Sequence, residues 1–199
     1  AQAQSQQLGS FAVRSQRLRG GRSQTSERID RNYFLQYDRA DTAAANASPS
    51  VVAQTLSVNY AFTLRHFDAL PFPSSGWGLG LDLGGGNTLG SSRDPFARVV
   101  GRWRSYHTLD RHDTGQDGLA KVRGTGRLVV QGEVGAVWAR SGISLPSTQL
   151  FLTGGDTSVR GYGRNDIGVT LPGGAVTAGR YLASGSVEWQ QPIRSNGQA

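Results

Sequence analysis

Apolar and polar residues alternate strictly along much of the chain. The clearest run covers residues 55–65, where Leu56, Val58, Tyr60, Phe62 and Leu64 share one face and mostly polar residues share the other. Alternation with period two over about ten residues is typical of a β-strand with one apolar and one polar face. Shorter runs of the same kind predict strands at 32–38, 77–84, 98–104, 127–138 and 181–193, and a less clear first strand at about 8–19.

Turn-forming residues separate these runs. Clusters of Gly, Pro, Asn, Asp and Ser predict turns at 19–21, 46–50, 71–76, 84–95 and 110–118. The alanine-rich residues 40–47 lie between two predicted strands and end near Asn46 and Pro49, so we expect no helix there. The chain is therefore predicted to be all-β, with about seven long strands.

Two architectures accommodate such strands: a soluble sandwich or barrel, and an antiparallel transmembrane β-barrel whose apolar face contacts lipid. The predicted strands run for about 10–15 residues, whereas soluble strands average about five to six and spanning strands need about nine to eleven. Aromatic residues lie towards the strand ends, where an interfacial girdle is expected: Tyr33, Tyr37, Trp77, Trp103, Tyr106, Trp138, Tyr181 and Trp189. These features favour the membrane barrel, and the alternation alone leaves the soluble one open.

Composition changes this picture only slightly. The chain has 21 basic and 14 acidic residues, no cysteine and no methionine, so disulfides and thiolate metal sites are excluded. Its net charge of +7 suggests a nucleic-acid partner. However, the arginines are spread along the chain and mostly occupy the strand face opposite the aromatic residues, so we expect no nucleic-acid binding.

The least ordinary stretch is glycine-rich and covers residues 150–168, LFLTGGDTSVRGYGRNDIG. It places Arg160 between small residues and an aromatic ring, in a segment whose glycines allow positive φ and close approach. It lacks the lysine of a phosphate-binding Walker loop and the helix-opening GxGxxG of a dinucleotide site. We expect a loop that folds back and holds Arg160 in place.

Residues 151–162, FLTGGDTSVRGY, resemble the loop signature of the bacterial surface antigen superfamily, whose members are outer-membrane barrels with periplasmic POTRA domains. Residues 72–77 resemble a hairpin of the same superfamily, residues 128–138 the strand before its signature loop, and residues 185–193 the strand after it. Within the superfamily the likeness is greatest to TamA-type barrels, and BamA-type insertases and TpsB transporters are alternatives.

The resemblance implies a 16-stranded barrel, of which residues 1–199 would be one fragment of about seven strands. The signature loop, residues 150–178, would fold into the lumen. The POTRA domains, the first strands and the last four strands would be absent from this sequence.

The function implied by the resemblance is assembly or translocation of β-rich proteins at the bacterial outer membrane, without catalysis or a cofactor. The expected partners are the lipid bilayer, substrate β-barrel or autotransporter-like proteins, and a periplasmic or inner-membrane protein bound through POTRA domains. Two alternatives stay open: a two-partner-secretion transporter, and a passive outer-membrane pore with the same alternation and a charged constriction.

The resemblance also assigns site residues. The loop motif consists of Gly154, Gly155, Val159, Arg160, Gly161 and Tyr162. In the superfamily the arginine pairs with an acid on the barrel wall, which corresponds to Glu188 here. The alternation independently places Glu188 on the polar face, together with Glu133, a further candidate partner.

Other polar groups carry weaker expectations. The inward arginines Arg98, Arg102, Arg104 and Arg127 are expected to balance inward acids rather than to form an anion-attracting lumen. His66, with Asp68, and His107, with Asp110, His112 and Asp113, are not expected to bind a metal, because no regular element fixes their geometry. No G-x-S-x-G nucleophile elbow is present, so we expect no catalytic residue.

Overall fold

The computed structural model describes residues 2–8, 11–44, 51–68, 73–90, 92–114, 120–155, 158–172, 174 and 176–191. Ten strands and one short 3-10 helix, Ser147–Gln149, lie in these ranges. The strands are β1 (Gln2–Leu8), β2 (Phe11–Thr25), β3 (Ile29–Ala44), β4 (Val51–Phe67), β5 (Gly76–Thr88), β6 (Pro95–Thr114), β7 (Ala120–Ala139), β8 (Val169–Thr170), β9 (Val176–Thr177) and β10 (Tyr181–Gln190).

Eight of the strands form one antiparallel sheet. They are ordered β1-β2-β3-β4-β5-β6-β7-β10, so each strand pairs with its neighbour in sequence except where β10 follows β7. Strands β8 and β9 form a separate two-stranded pair within the segment that links β7 to β10. The predicted all-β, antiparallel fold is therefore confirmed.

The described residues contain no helix that is long and apolar enough to cross a membrane.

The sheet has eight strands, close to the prediction of about seven. The indistinct first strand expected at about 8–19 contains the end of β1 and the start of β2, which pair with each other. The turn predicted at 19–21 is wrong, because these residues lie inside β2 and pair with residues 34–36 of β3. A Cβ on Gly21 would lie 2.0 Å from the carbonyl oxygen of Tyr33, so this glycine permits close strand approach rather than a reversal.

Several strands also extend beyond their predicted ends. Strand β5 continues to Thr88 and β6 to Thr114, so the turns predicted from residues 84 and 110 begin later than expected. The predicted turn at 46–50 falls outside the described residues. Residues 40–44 of the alanine-rich segment belong to β3, in agreement with the prediction that they are not helical.

The two faces of the large sheet differ in chemistry. We call the apolar face the one that carries Leu35, Leu56, Val58, Val134 and Val187, all of which are exposed. Aromatic rings continue along this face, with Tyr33 against Tyr60 at 4.9 Å and Trp77 stacked on Trp103 at 5.1 Å. A continuous exposed apolar surface of this size needs a non-aqueous neighbour, as a transmembrane barrel has.

The opposite, polar face carries charged and amide side chains that bond between strands. One of the aromatic residues predicted to lie in a girdle, Tyr106, belongs to this face, because it has the same parity as Arg102 and Arg104 along β6. The guanidinium of Arg127 lies 5.2 Å from the centre of the Tyr106 ring. The assignment of Tyr106 to the girdle was therefore wrong, and the ring instead supports an inward arginine.

Candidate functional site: the inward loop

The segment that connects β7 to β10 spans residues 140–180, and it contacts the polar face of the sheet through Thr148, Gln149, Phe151 and Arg160. The two ends of the segment are joined to each other by an antiparallel bridge between Phe151 and Gly179, with N–H to O distances of 2.9 and 2.8 Å. A second bridge joins Thr153 to Ile167. We call residues 145–151 the loop base and residues 158–162 the loop tip.

Glycines shape the turn that precedes the tip. Gly154 and Gly155 have φ angles of 117° and 98°, which residues with a side chain rarely adopt. The backbone N–H of Gly154 donates to Oγ of Ser158 at 3.0 Å, and an isolated bridge joins Gly155 to Val159. This narrow turn presents the residues that follow it, Arg160 among them, at the end of a folded-back arm.

The tip brings together the two residues predicted to pair. Nη2 of Arg160 lies 3.1 Å from Oε1 of Glu188, and the side chains are 72% and 28% exposed. Glu188 lies seven residues after the start of β10, which corresponds to about 23 Å along the strand. The arm therefore runs far along the polar face before it meets this carboxylate. The role of the pair in function stays a prediction.

The remaining motif residues lie around this contact. Val159 is half-buried, whereas Gly161, with a φ of 89°, and Tyr162, 59% exposed, lie on the open side of the tip. Glu133, the further candidate partner, pairs with Arg102 and not with Arg160 among the described residues. Its Oε1 lies 3.0 Å from Nε of Arg102, a residue that also pairs with Asp82.

The loop base is held by a buried carboxylate that sequence reasoning did not single out. Asp38 on β3 is fully buried and accepts hydrogen bonds from Nε of Arg17 at 2.6 Å and Nε2 of Gln149 at 2.6 Å. The amide of Gln36 also donates to it. Arg17 in turn donates to the carbonyl oxygen of Thr148 at 3.2 Å. Charge-assisted bonds of this kind are among the stronger ones in proteins.

Apolar contacts reinforce the base. Phe151 joins Phe96, Val100, Val137 and Leu145 in a buried cluster between the loop and the sheet. A Cβ on Gly135 would lie 2.6 Å from Cζ of Phe151, so only glycine leaves room for the ring there. The base thus combines a satisfied buried charge with close apolar packing.

The inward arginines only partly match the expectation that they balance inward acids. Arg102 does so through Asp82 and Glu133. Arg98 instead donates to the carbonyl oxygen of Gln149, and Arg104 to the amide of Gln131. Arg127 bonds to Gln190 and to the carbonyl oxygen of Pro73. Among the described residues, none of these three pairs with a carboxylate, so the expectation fails for them.

The histidines do not converge on a common site in the part of the chain that the structure describes. The ring of His66 lies 6.0 Å from that of Trp77, at the edge of the apolar face. The side chains of Asp110, His112 and Asp113 lie outside the described residues. Among the described ones, no three histidine or acidic residues form a group that could hold a metal.

Comparison with known proteins agrees with this architecture. No curated protein is significantly similar to the chain. A family model, described as the Omp85 superfamily domain, matches residues 7–198. The match confirms the superfamily predicted from the loop motif, and it does not distinguish the TamA, BamA and TpsB types. Members of this superfamily are outer-membrane proteins that act in assembly or secretion of other proteins, and a chain matched over nearly its whole length, with an antiparallel sheet of this form, belongs to the Omp85 superfamily.

Proposed function

We propose that this chain is the central part of a 16-stranded TamA-type barrel that inserts or translocates β-rich proteins in the bacterial outer membrane. It acts without catalysis and without a cofactor. Its partners are the lipid bilayer, substrate proteins of the β-barrel or autotransporter kind, and a periplasmic or inner-membrane protein bound through POTRA domains.

The observation that carries the proposal is the arm that crosses the polar face and ends in the Arg160–Glu188 contact. A passive pore needs a polar lumen but has no need for an arm held at both base and tip. In an assembly barrel the arm is a structural element that supports the wall on which β10 lies. Substrate strands then pair with an exposed strand edge, whose backbone donors and acceptors template a new strand.

A charge-reversal series tests this function. The variants are Arg160→Glu, Glu188→Arg and the double variant, in the full-length protein. We expect each single variant to lose substrate assembly, because two like charges then face each other, and the double variant to recover part of it. The measurements are heat-modifiable migration, which reports barrel folding, and appearance of a folded substrate barrel in the outer membrane.

Arg164→Glu is the matched control. Arg164 lies in the same loop, is exposed, and forms no ion pair among the described residues. We expect it to behave as wild type. If Arg160→Glu also behaves as wild type, the contact has no part in assembly and a passive pore becomes the better proposal. Secretion of a large exported partner, without insertion of barrels, would instead identify the TpsB type.

A further inference from the structure

A cavity of about 580 Å³ lies on the polar face beside the loop base. Its walls come from β2, β3, β4, β5 and β6 and from residues 148–149 of the loop. Four of the arginines that line it have the parity of the polar face: Arg17, Arg19, Arg98 and Arg102. The carboxylate of Asp82 is the acidic group among the lining residues.

Two of these arginines are held in a similar way. Nε of Arg19 donates to Oε1 of Gln36 at 2.6 Å, and its guanidinium lies 4.9 Å from the centre of the Phe34 ring. Nε of Arg98 donates to the carbonyl oxygen of Gln149 at 3.2 Å, and its guanidinium lies 4.9 Å from the centre of the Phe151 ring. A bond at Nε and contact with a ring together restrict a side chain that is otherwise flexible.

The terminal nitrogens of both guanidiniums remain available. In the described part of the chain, neither Arg19 nor Arg98 donates a hydrogen bond from Nη1 or Nη2. Those two nitrogens form the fork that binds a carboxylate through two parallel bonds. Each guanidinium is therefore held at Nε, and its Nη1 and Nη2 are available to bind an anion.

The charges that surround the cavity also favour an anion there. Arg17 is paired with Asp38, and Arg102 with Asp82 and Glu133. Arg19 and Arg98 have only neutral acceptors, and no carboxylate among the described residues pairs with either. Arg98 is half-buried and Arg19 is exposed, and among the described residues neither guanidinium has a carboxylate bonded to it, so an anion that enters the cavity can bond to both.

We propose that Arg19 and Arg98 form a binding site for the carboxylate side chains of an acidic polypeptide segment within the lumen. The proposal extends the proposed function, because it gives that barrel a contact for a passing or docking protein chain. The site faces away from the apolar surface, so lipid headgroups at the outer rim do not reach it. Its volume of about 580 Å³ also exceeds what a single small anion fills and is large enough for a stretch of polypeptide.

The test uses the full-length protein folded in lipid nanodiscs and a short fluorescent peptide of Glu and Ser. Fluorescence anisotropy measures its affinity, beside that of the same peptide with Gln in place of Glu. We expect the Glu peptide to bind with an affinity that falls as salt is added, and we expect the Gln peptide not to bind. The double variant Arg19→Gln, Arg98→Gln should bind about 10- to 100-fold more weakly, because two charge-assisted contacts are lost.

Two further variants separate recognition from folding and from general charge. Arg31→Gln removes the same charge from the opposite face of β3, where Arg31 is exposed, and should leave binding unchanged. The double variant Arg19→Lys, Arg98→Lys keeps the charge and removes the forks, and should restore only part of the affinity. Heat-modifiable migration shows that each variant is folded before it is used.

Several results would overturn the proposal. Equal binding of the Gln peptide would show that carboxylates are not recognised, and unchanged binding by the double Gln variant would place the peptide elsewhere. Lack of peptide binding by the wild-type protein would mean that another group already occupies the forks. Full competition by inorganic phosphate or acetate at equal concentration of charge would identify a small-anion site instead. None of these results touches the assembly assay of Arg160→Glu, so the site and the proposed function fail independently.

Discussion

The base and the tip of the inward loop are attached to the same polar face by opposite means. At the base, Asp38 is fully buried and accepts hydrogen bonds from Arg17 on β2, Gln36 on β3 and Gln149 in the loop. At the tip, one ion pair joins Arg160 to Glu188, and the arginine is 72% exposed. A buried, fully bonded carboxylate is costly to disrupt, whereas an exposed ion pair contributes little to stability.

The difference assigns distinct tasks to the two attachments. Rupture of the base leaves a buried charge without partners and opens the apolar cluster around Phe151, so the base is part of the folded structure. Rupture of the tip returns two charged groups to water at small cost. The tip is therefore the end of the loop that detaches at the lower cost in free energy, while the base stays in place.

The largest effect is expected from Asp38→Ala, which removes the centre of the base. The substitution should lower the free energy of unfolding by about 3 kcal/mol, because Arg17, Gln36 and Gln149 all lose an acceptor. Guanidinium-induced unfolding in lipid vesicles measures the change, and proteolysis within residues 140–180 should become faster. Asp41→Ala, on the same strand but 31% exposed, is the control and should change stability by less than about 1 kcal/mol. Equal effects would show that the base is not the stronger attachment.

A smaller effect is expected from Gly135→Val, which loosens the base through packing alone. The new Cβ would lie 2.6 Å from the Phe151 ring, so the ring must move, at a cost of about 1–3 kcal/mol. The matched variant is Gly132→Val on the same strand, where a Cβ meets only the carbonyl oxygen of Ser184 at 3.7 Å. The denaturant concentration at the midpoint of unfolding should be lower for Gly135→Val than for Gly132→Val, which should lie close to wild type. Identical midpoints would contradict the close contact at Phe151.

The smallest effect on stability is expected at the tip. Arg160→Gln should lower the free energy of unfolding by less than about 1 kcal/mol, because the pair is largely solvated. A spin label at Tyr162 should nevertheless become more mobile, since the tip is then free of Glu188. High salt should mobilise the same label in the wild-type protein by screening the pair. A loss of stability as large as that of Asp38→Ala would remove the distinction between base and tip.

The fold was largely predictable because the strand pattern is local. The alternation at residues 55–65 predicted a strand that the structure extends to Val51–Phe67. The double glycine at 20–21 misled the prediction, since glycine allows both a turn and a close strand contact, and only the partner strand decides between them. The unclear start of the chain likewise hid a hairpin of β1 and β2.

The site was predictable only where a motif marks it. Arg160 and Glu188 were identified from the superfamily resemblance together with the facing of β10. The base was missed because Asp38 and Gln149 lie 111 positions apart, and neither has an unusual local sequence. The contact between Gln149 and Asp38 depends on the path of the loop over the sheet, which residue spacing alone does not specify.

The fixed base also determines how the tip behaves after it detaches. Arg160 lies eleven positions after Gln149, and a flexible segment of that length keeps its ends within about 20 Å of each other. Arg160 would then meet Glu188 at an effective concentration in the millimolar range or above, however dilute the protein is. A tether of this kind makes release of the tip short-lived, because Arg160 returns to Glu188 without an external energy source.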